Sequence, residues 1–309
     1  MNIALAVTTD YILAANNYPS TALRKLLNGK RIITAPGVFS PAVAILAQKE
    51  GFKCAYFSGA GFANQLGLPD LGVTTLSEVS RGVEEITSVA DIPLLVDIDT
   101  GFGESTNVAR TVTIMERLGA AAIQIEDQVM PKRCGHLSGK EVVSKEEMVR
   151  KIIVAKRARK TDMILIARTD AASVEGIESA IERAKLYLKA GADVIFPEAL
   201  ESKRDFLKFA KQIRAPLLAN MTEFGKSPYI TTSEFEEMGY KIVIFPVTAF
   251  RAAMMAVRET LHELSKKGTQ KKLLKKMITR DEFNKIIDYE SYARLDSETL
   301  LESKRLNTN

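Results

Sequence analysis

The sequence contains no tryptophan, two cysteines and two histidines among 309 residues. Two cysteines cannot build a disulfide framework, which places the chain in a reducing, cytoplasmic compartment. Two cysteines and two histidines at these spacings also leave no four-ligand zinc site. Long apolar runs are missing as well. Lys241 to Phe250, broken by Pro246, falls far short of the ~20 residues that cross a bilayer, so no membrane segment is expected. Met1 to Val7 lacks the basic and apolar regions of a secretory signal. Basic residues exceed acidic ones by five, but the excess is dispersed and its densest stretch, Lys266 to Lys276, falls in a helical pattern without interleaved aromatics. Nucleic acid is therefore not an expected partner.

What the chain has is a soluble globular composition, 46% hydrophobic and 26% charged, and a repeating alternation. Short apolar runs ending in polar residues recur eight times: Ile32 to Pro36, Cys54 to Ser58, Pro93 to Asp99, Ala121 to Asp127, Met163 to Asp170, Asp193 to Glu198, Pro216 to Thr222 and Ile242 to Thr248. Amphipathic helical patterns separate them. Thr75 to Glu78 and Ser144 to Glu147 have the spacing of capping boxes, and Gly119 and Gly191 stand where helices hand over to strands. Eight such units predict an α/β fold, a (β/α)₈ TIM-type barrel over about residues 30–266, with a helical C-terminal extension over about 267–309 and no linker between them. The competing open, doubly wound sheet would require a GxGxxG turn after its first strand. Ser58-Gly-Ala-Gly61 lacks the third glycine.

In such barrels chemistry occurs at the C-terminal strand ends, and side chains alternate faces with period two. Parity therefore groups Tyr56 with Ser58, Asp97 with Asp99, Gln124 with Glu126, Arg168 with Asp170, Phe196 with Glu198, Asn220 with Thr222, and Ile244 with Thr248. Two neighbouring buried carboxylates repel unless they share a proton or a cation, and a hard divalent ion suits Asp97 and Asp99. Alternatively the two aspartates cap loops or pair with basic side chains. A second cluster is Lys132-Arg-Cys-Gly-His136, in the loop Met130 to Lys140. Cationic neighbours would favour a Cys134 thiolate and a role in proton transfer. The alternative is an inert thiol in a basic loop. Cys54 reads as strand filler and His262 as a surface or packing residue.

Together with Val96 to Gly103, Ile125 to Gln128, Ala167 to Asp170, Phe196 to Ala199 and Asn220 to Gly225, the cysteine cluster resembles the isocitrate lyase/phosphoenolpyruvate mutase superfamily over roughly residues 25 to 300. The resemblance implies a homotetramer whose C-terminal helix is exchanged between subunits. It implies Mg²⁺, or Mn²⁺ in its place, on Asp97 and Asp99, with Glu126 and Asp70 nearby. Cys134, Tyr56 and His136 become catalytic candidates, Cys134 as proton donor and Tyr56 as the group that removes a hydroxyl proton. Ser58, Gly59, Ala60, Gly135, Arg168, Phe196, Glu198, Asn220, Thr222, Ile244, Arg251 and Arg280 become substrate-binding candidates; Ala60 departs from a family glycine. The implied reaction is carbon–carbon cleavage of a (2-methyl)isocitrate-type tricarboxylate into pyruvate and succinate. Phe196 and Ile244, where isocitrate-cleaving members carry Trp and Thr, favour the methylated substrate. Isocitrate cleavage, carboxyphosphonoenolpyruvate mutase or oxaloacetate decarboxylase-like chemistry, and a non-catalytic metabolite-binding role are the alternatives.

Overall fold

The computed structural model describes residues 19–137 and 139–306, so Met1 to Val7 lies outside the described residues. Its elements alternate along the chain: α1 (Pro19–Asn28), β1 (Ile33–Pro36), α2 (Pro41–Lys49), β2 (Ala55–Phe57), α3 (Gly59–Gln65), α4 (Leu76–Thr87), β3 (Leu94–Asp97), α5 (Ser105–Arg117), β4 (Ala122–Glu126), α6 (Lys145–Ala158), β5 (Ile164–Thr169), α7 (Ile177–Ala190), β6 (Val194–Pro197), α8 (Lys203–Gln212), β7 (Leu218–Asn220), α9 (Thr232–Met238) and β8 (Ile242–Phe245). Among the described residues three further α-helices follow, α10 (Thr248–Lys267), α11 (Arg280–Ile286) and α12 (Tyr289–Leu306), with a 3-10 turn over Lys271–Lys276. All strand pairs are parallel, in the orders β2-β3-β4-β5-β6 and β1-β8-β7. Isolated parallel bridges, Gly37 to Tyr56 and Ile195 to Leu217, join the edges of the two sheets.

Period-two alternation sorts the strand residues into two layers. Ile33, Ala35, Tyr56, Leu95, Ala122, Ile164, Ile166, Val194, Phe196, Leu218, Ile242 and Ile244 form one buried cluster, together with Leu23 and Leu27 of α1 and with Cys54. The intervening residues, among them Phe57, Val96, Ile123, Ile125, Leu165, Ala167, Ile195 and Val243, pack against the helices in a larger cluster. The register then fixes the neighbours near the strand ends. Asp97 lies opposite Gln124, Glu126 opposite Arg168, Arg168 opposite Phe196, and Asn220 opposite Ile244. All belong to the parity class of the first cluster, so polar groups crown an apolar interior.

Local chemistry explains the element boundaries. Thr75 and Glu78 form the expected reciprocal capping box at α4. At α6 only half of the motif is made: Ser144 Oγ accepts from Glu147 N, while the Glu147 carboxylate lies 3.6 Å from Lys151 Nζ instead. Gly119 and Gly191 adopt φ of 82° and 117°, the left-handed conformation expected of helix ends.

The residues up to Phe250 form one compact unit and those from Arg251 onward a second, with the boundary inside α10. In α10, α11 and α12 no residue is buried, and Met254, Leu261, Phe283 and Tyr292 on these helices, with Leu274 and Ile278 between α10 and α11, are among the exposed apolar side chains. Among the described residues no helix is long and apolar enough to cross a membrane.

Candidate active site

Arg168, near the end of β5, is the hub of a buried charge cluster. Its Nε and Nη2 donate to Asp170 Oδ2 and Oδ1 at 2.9 and 3.1 Å, and Nη1 lies 3.2 Å from Glu126 and 3.5 Å from Glu198. The guanidinium also sits over the Phe196 ring, 5.4 Å from its centroid. Burial opposes charge on Arg168, but Asp170, Glu126 and Glu198 outweigh it and hold the group charged. Glu198 experiences the reciprocal effect. Burial would raise its pKa, yet Arg168 and His136 bring it well below the ordinary carboxylate range. Asn220 Nδ2 adds a hydrogen bond to Glu198 Oε2 at 3.2 Å, and the Ala199 amide donates to Oε1 at 2.8 Å.

Asp97 ends β3, and Asp99 lies beyond it with φ of 48°, so strand parity no longer governs Asp99. The two carboxylates nevertheless converge. A Cβ placed on Gly59 would lie 3.1 Å from Asp97 Oδ2 and 3.2 Å from Asp99 Oδ1, leaving a small space bounded by both oxygens. Burial and the Asp99 charge push Asp97 up to about 6. Burial likewise raises Glu126, whose Oε1 has no hydrogen-bond partner. Lys132 enters this acidic pocket, paired with Asp70 and 2.9 Å from Asp99 Oδ1. Burial disfavours its charge, but Asp99, Glu126, Asp70 and Asp97 hold the ammonium well above its usual range. Among the described residues no three acidic, histidine or cysteine side chains make a metal shell alone. Two convergent carboxylates and an orphaned carboxylate oxygen fit a hard cation that keeps water or substrate oxygens in its shell. The pairing alternative is also realised at Asp99, because Lys132 reaches it.

The Cys134 loop rises from a short antiparallel stem, with Gln128 bridged to Val142, the Val129 amide bonded to Glu141 O and the Val143 amide to Asp127 O. Gln128 then clamps Arg133, accepting from its amide and donating to its carbonyl, both at 2.9 Å. At the tip, His136 is tied through Nδ1 and lies against Glu198. Nδ1 accepts from the Lys226 amide at 3.0 Å, so the other ring nitrogen carries the proton, and that Nε2 faces Glu198 Oε1 at 3.0 Å. Gly225 leaves room for the ring, since a Cβ there would stand 2.6 Å from His136 Nδ1. Gly135 approaches the hub just as closely.

Two expectations are corrected. The sequence suggests a Cys134 thiolate, but burial raises the pKa of the thiol. Lys132 is spent on Asp70 and Asp99, and His136 faces Glu198, so these neighbours serve carboxylates and not the thiol. Tyr56 is poorly suited to remove a hydroxyl proton. Its hydroxyl donates to Gln124 Oε1 at 2.5 Å, and burial together with Asp97 keeps the phenol protonated.

Tyr56, Gly59, Gly135, His136, Phe196, Glu198 and Asn220 thus reach the same cluster as Arg168 and the acidic pocket. Ile244 is buried below it in the inner layer. Ser58 caps α3 through Gly61 N, with Ala60 inside that helix, and Thr222 lies two residues beyond β7. Arg251 and Arg280 are exposed and belong to the second unit, Arg280 as the first residue of α11. Thr248, grouped with Ile244 by parity, begins α10 and bonds Glu223. Cys54 is buried filler, as expected, and His262 is exposed.

Sequence reasoning missed Asp127 and Lys140. Asp127 accepts from the Asp170 amide (2.9 Å), Thr169 Oγ1 (2.8 Å) and Tyr187 OH (2.7 Å), with Arg183 behind it. Its place one residue after Glu126, on the opposite face, was the available signal. Lys140 had none.

The phosphoenolpyruvate phosphomutase family model matches residues 23–265. A protein of Aeropyrum pernix named 2-methylisocitrate lyase is 56% identical over 288 residues, covering 93% of both chains. A Bacillus subtilis protein of the same name is 47% identical, covering 88% of this chain and 90% of the other. The crystal structure of 2,3-dimethylmalate lyase matches with a TM-score of 0.86 at 36% identity, covering 92% of this chain and 96% of that one. Phosphonopyruvate hydrolase, in a complex with oxalate and Mg²⁺, matches with 0.84 at 30% identity, covering 92% and 100%.

Proposed function

Because the chain belongs to the isocitrate lyase/phosphoenolpyruvate mutase superfamily, we propose that it is a 2-methylisocitrate lyase, cleaving 2-methylisocitrate to pyruvate and succinate. The observation that carries the reading is the descent of the Cys134 loop onto Arg168 and Glu198, next to the Asp97/Asp99 pair. The eight parallel strands are read as a (β/α)₈ barrel, supported by their sequential order, the two joining bridges and the interior cluster. Asp97 and Asp99, with Glu126 and Asp70 nearby, would hold Mg²⁺ or Mn²⁺. When bound, the ion supplies Lewis-acid stabilisation of charge on the substrate hydroxyl and its adjacent carboxylate.

The chain's own residues account for the rest. Arg168 and Asn220 offer donors to substrate carboxylates, and Ser58, Gly59, Ala60 and Thr222 complete the proposed binding set; Arg251 and Arg280 carry their substrate assignment from the family resemblance alone. Phe196 and Ile244 give the added methyl group an apolar wall. A basic oxygen of the buried carboxylate cluster takes the hydroxyl proton as the C2–C3 bond breaks. The new carbonyl leaves as pyruvate, while the bonding electron pair stays on the succinate carbon, spread into its carboxylate. Cys134 gives its proton to that carbon, and a raised thiol pKa keeps the proton available at neutral pH. His136 and Gly135 seat the loop and exclude water from the carbanion. Tyr56 orients through its hydroxyl.

The exposed apolar side chains of α10–α12 support a C-terminal segment exchanged between subunits of a homotetramer. The activity is tested by supplying 2-methylisocitrate or isocitrate with and without Mg²⁺ and detecting pyruvate or glyoxylate. Metal-dependent pyruvate release that disappears in Cys134→Ser is expected. Silence with both acids would reject the reading.

A further inference from the structure

Lys140 closes a circuit that the reaction does not explain. It stands at the foot of the Cys134 loop, with its side chain only 2% exposed. Its Nζ reaches two partners: the carbonyl of Gly135, adjacent to Cys134, and Asp170 Oδ1 at 2.8 Å. Asp170 in turn takes the two-donor fork of Arg168 and is fixed through its amide by Asp127. A buried ammonium therefore straps the loop tip to the Arg168 cluster.

We propose that Lys140 is a positioning residue that latches the Cys134 loop in its closed state, through Gly135 O on one side and Asp170 on the other. Three observations converge on this role. Gly135 is pressed so closely against Glu198 and Arg168 that only a held-down loop maintains the approach. The stem bonds end at Val129 and Glu141; among the described residues beyond them the tip's own backbone bond, Leu137 N to Cys134 O, is local and does not tie it to the strands. Of the remaining ties, the Gln128–Arg133 clamp precedes Cys134 and the His136 contact lies beyond Gly135, and Lys140 adds a charged tie on the peptide that joins Gly135 to His136, one residue past Cys134. Removing the Lys140 amine leaves Asp170 still paired with Arg168, so no buried carboxylate is stranded and the fold should tolerate the change.

The proposal rests on the reading of Cys134 as proton donor only for its consequence, because the latch itself can be followed without substrate. The two thiols differ in a useful way: Cys134 is part-exposed and Cys54 is buried at 0% exposure, so a disulfide-exchange reagent on the native protein reports the loop. Lys140→Met should raise the labelling rate of Cys134 on the order of tenfold or more, as expected from loss of charge-assisted hydrogen bonds, with Cys54 still protected. Lys140→Arg, which keeps a cation, should restore most of the closure. In the lyase assay Lys140→Met should lower kcat more than it raises KM, because Arg168 and the substrate-binding set are intact. An unchanged Cys134 labelling rate in folded Lys140→Met overturns the latch. If that variant opens globally, shown by labelling of Cys54 as well, Lys140→Gln is the deciding variant, and a wild-type rate there overturns the latch equally. Faster labelling without any lyase activity in the wild-type protein would keep the latch and reject the assigned reaction.

Discussion

Gly135→Ala concentrates the site's geometry in one methyl group. The new Cβ would lie 2.4 Å from Glu198 Cγ and 2.5 Å from Arg168 Nη2, whereas carbon atoms rest at ~3.5–4.0 Å. Something must move by about 1 Å. Glu198 is fixed by Asn220, His136 and the Ala199 amide, and Arg168 by the Asp170 fork, so the loop is the part that yields. Retaining the overlap would cost about 1–3 kcal/mol, which withdrawal of the loop relieves. Cys134 is then displaced by about the same 1 Å, an error that costs on the order of 10²-fold in a positioned reaction. Pyruvate release should show kcat/KM reduced by roughly that factor. Thermal unfolding should show Tm lowered by no more than about 4 °C, equivalent to ~1 kcal/mol for a domain of this size. Wild-type turnover in Gly135→Ala would refute the argument, as would a large fall in Tm with activity retained.

Other substitutions separate charge from shape. Arg168→Met takes the shared guanidinium from Glu126, Asp170 and Glu198, leaving Asp170 to Lys140 alone, and should cost about 3–5 kcal/mol in denaturant unfolding, much of it returning at acidic pH, where the carboxylates are neutralised. Mg²⁺ at 100 times its dissociation constant should stabilise the wild-type protein by about 2.7 kcal/mol, and Asp97→Asn should abolish that gain in calorimetry. Asp97 is raised from 3.8 to about 6, so the folded state holds this proton more tightly than the unfolded chain. Its contribution is fully present below pH 4 and is lost as pH rises to about 6, worth at most about 3 kcal/mol. Mg²⁺ requires the ionised form, so the thermal shift it produces should grow between pH 5 and 7. A shift independent of pH would count against Asp97 as a ligand.

The strands were legible because parity is a strict consequence of the pleat: Tyr56, Phe196 and Ile244 fall in the inner layer as their spacing requires. The logic stops where the ladder stops. Asp99, Thr222 and Thr248 lie past the last paired residues, and their directions depend on turn geometry that spacing does not encode. Charge was misread at Cys134 for a related reason. Adjacency in sequence places Lys132 and His136 near the thiol, but each side chain follows the carboxylate that the fold brings to it, from Asp70, Asp99 or Glu198. Lys140 was invisible because both of its partners, Gly135 O and Asp170, are fixed by the return path of a loop.

Among the described residues the seam between β6 and β7 is bridged at Ile195 and Leu217 alone. Across that thin place Asn220 on β7 grips Glu198, just beyond β6, so side chains of the site supply a fastening that the backbone leaves sparse. Amide protons along this line should exchange with solvent earlier than those of β4 and β5. A tightly held ligand engaging both side chains would slow that exchange, making local breathing of the sheet a reporter of occupancy.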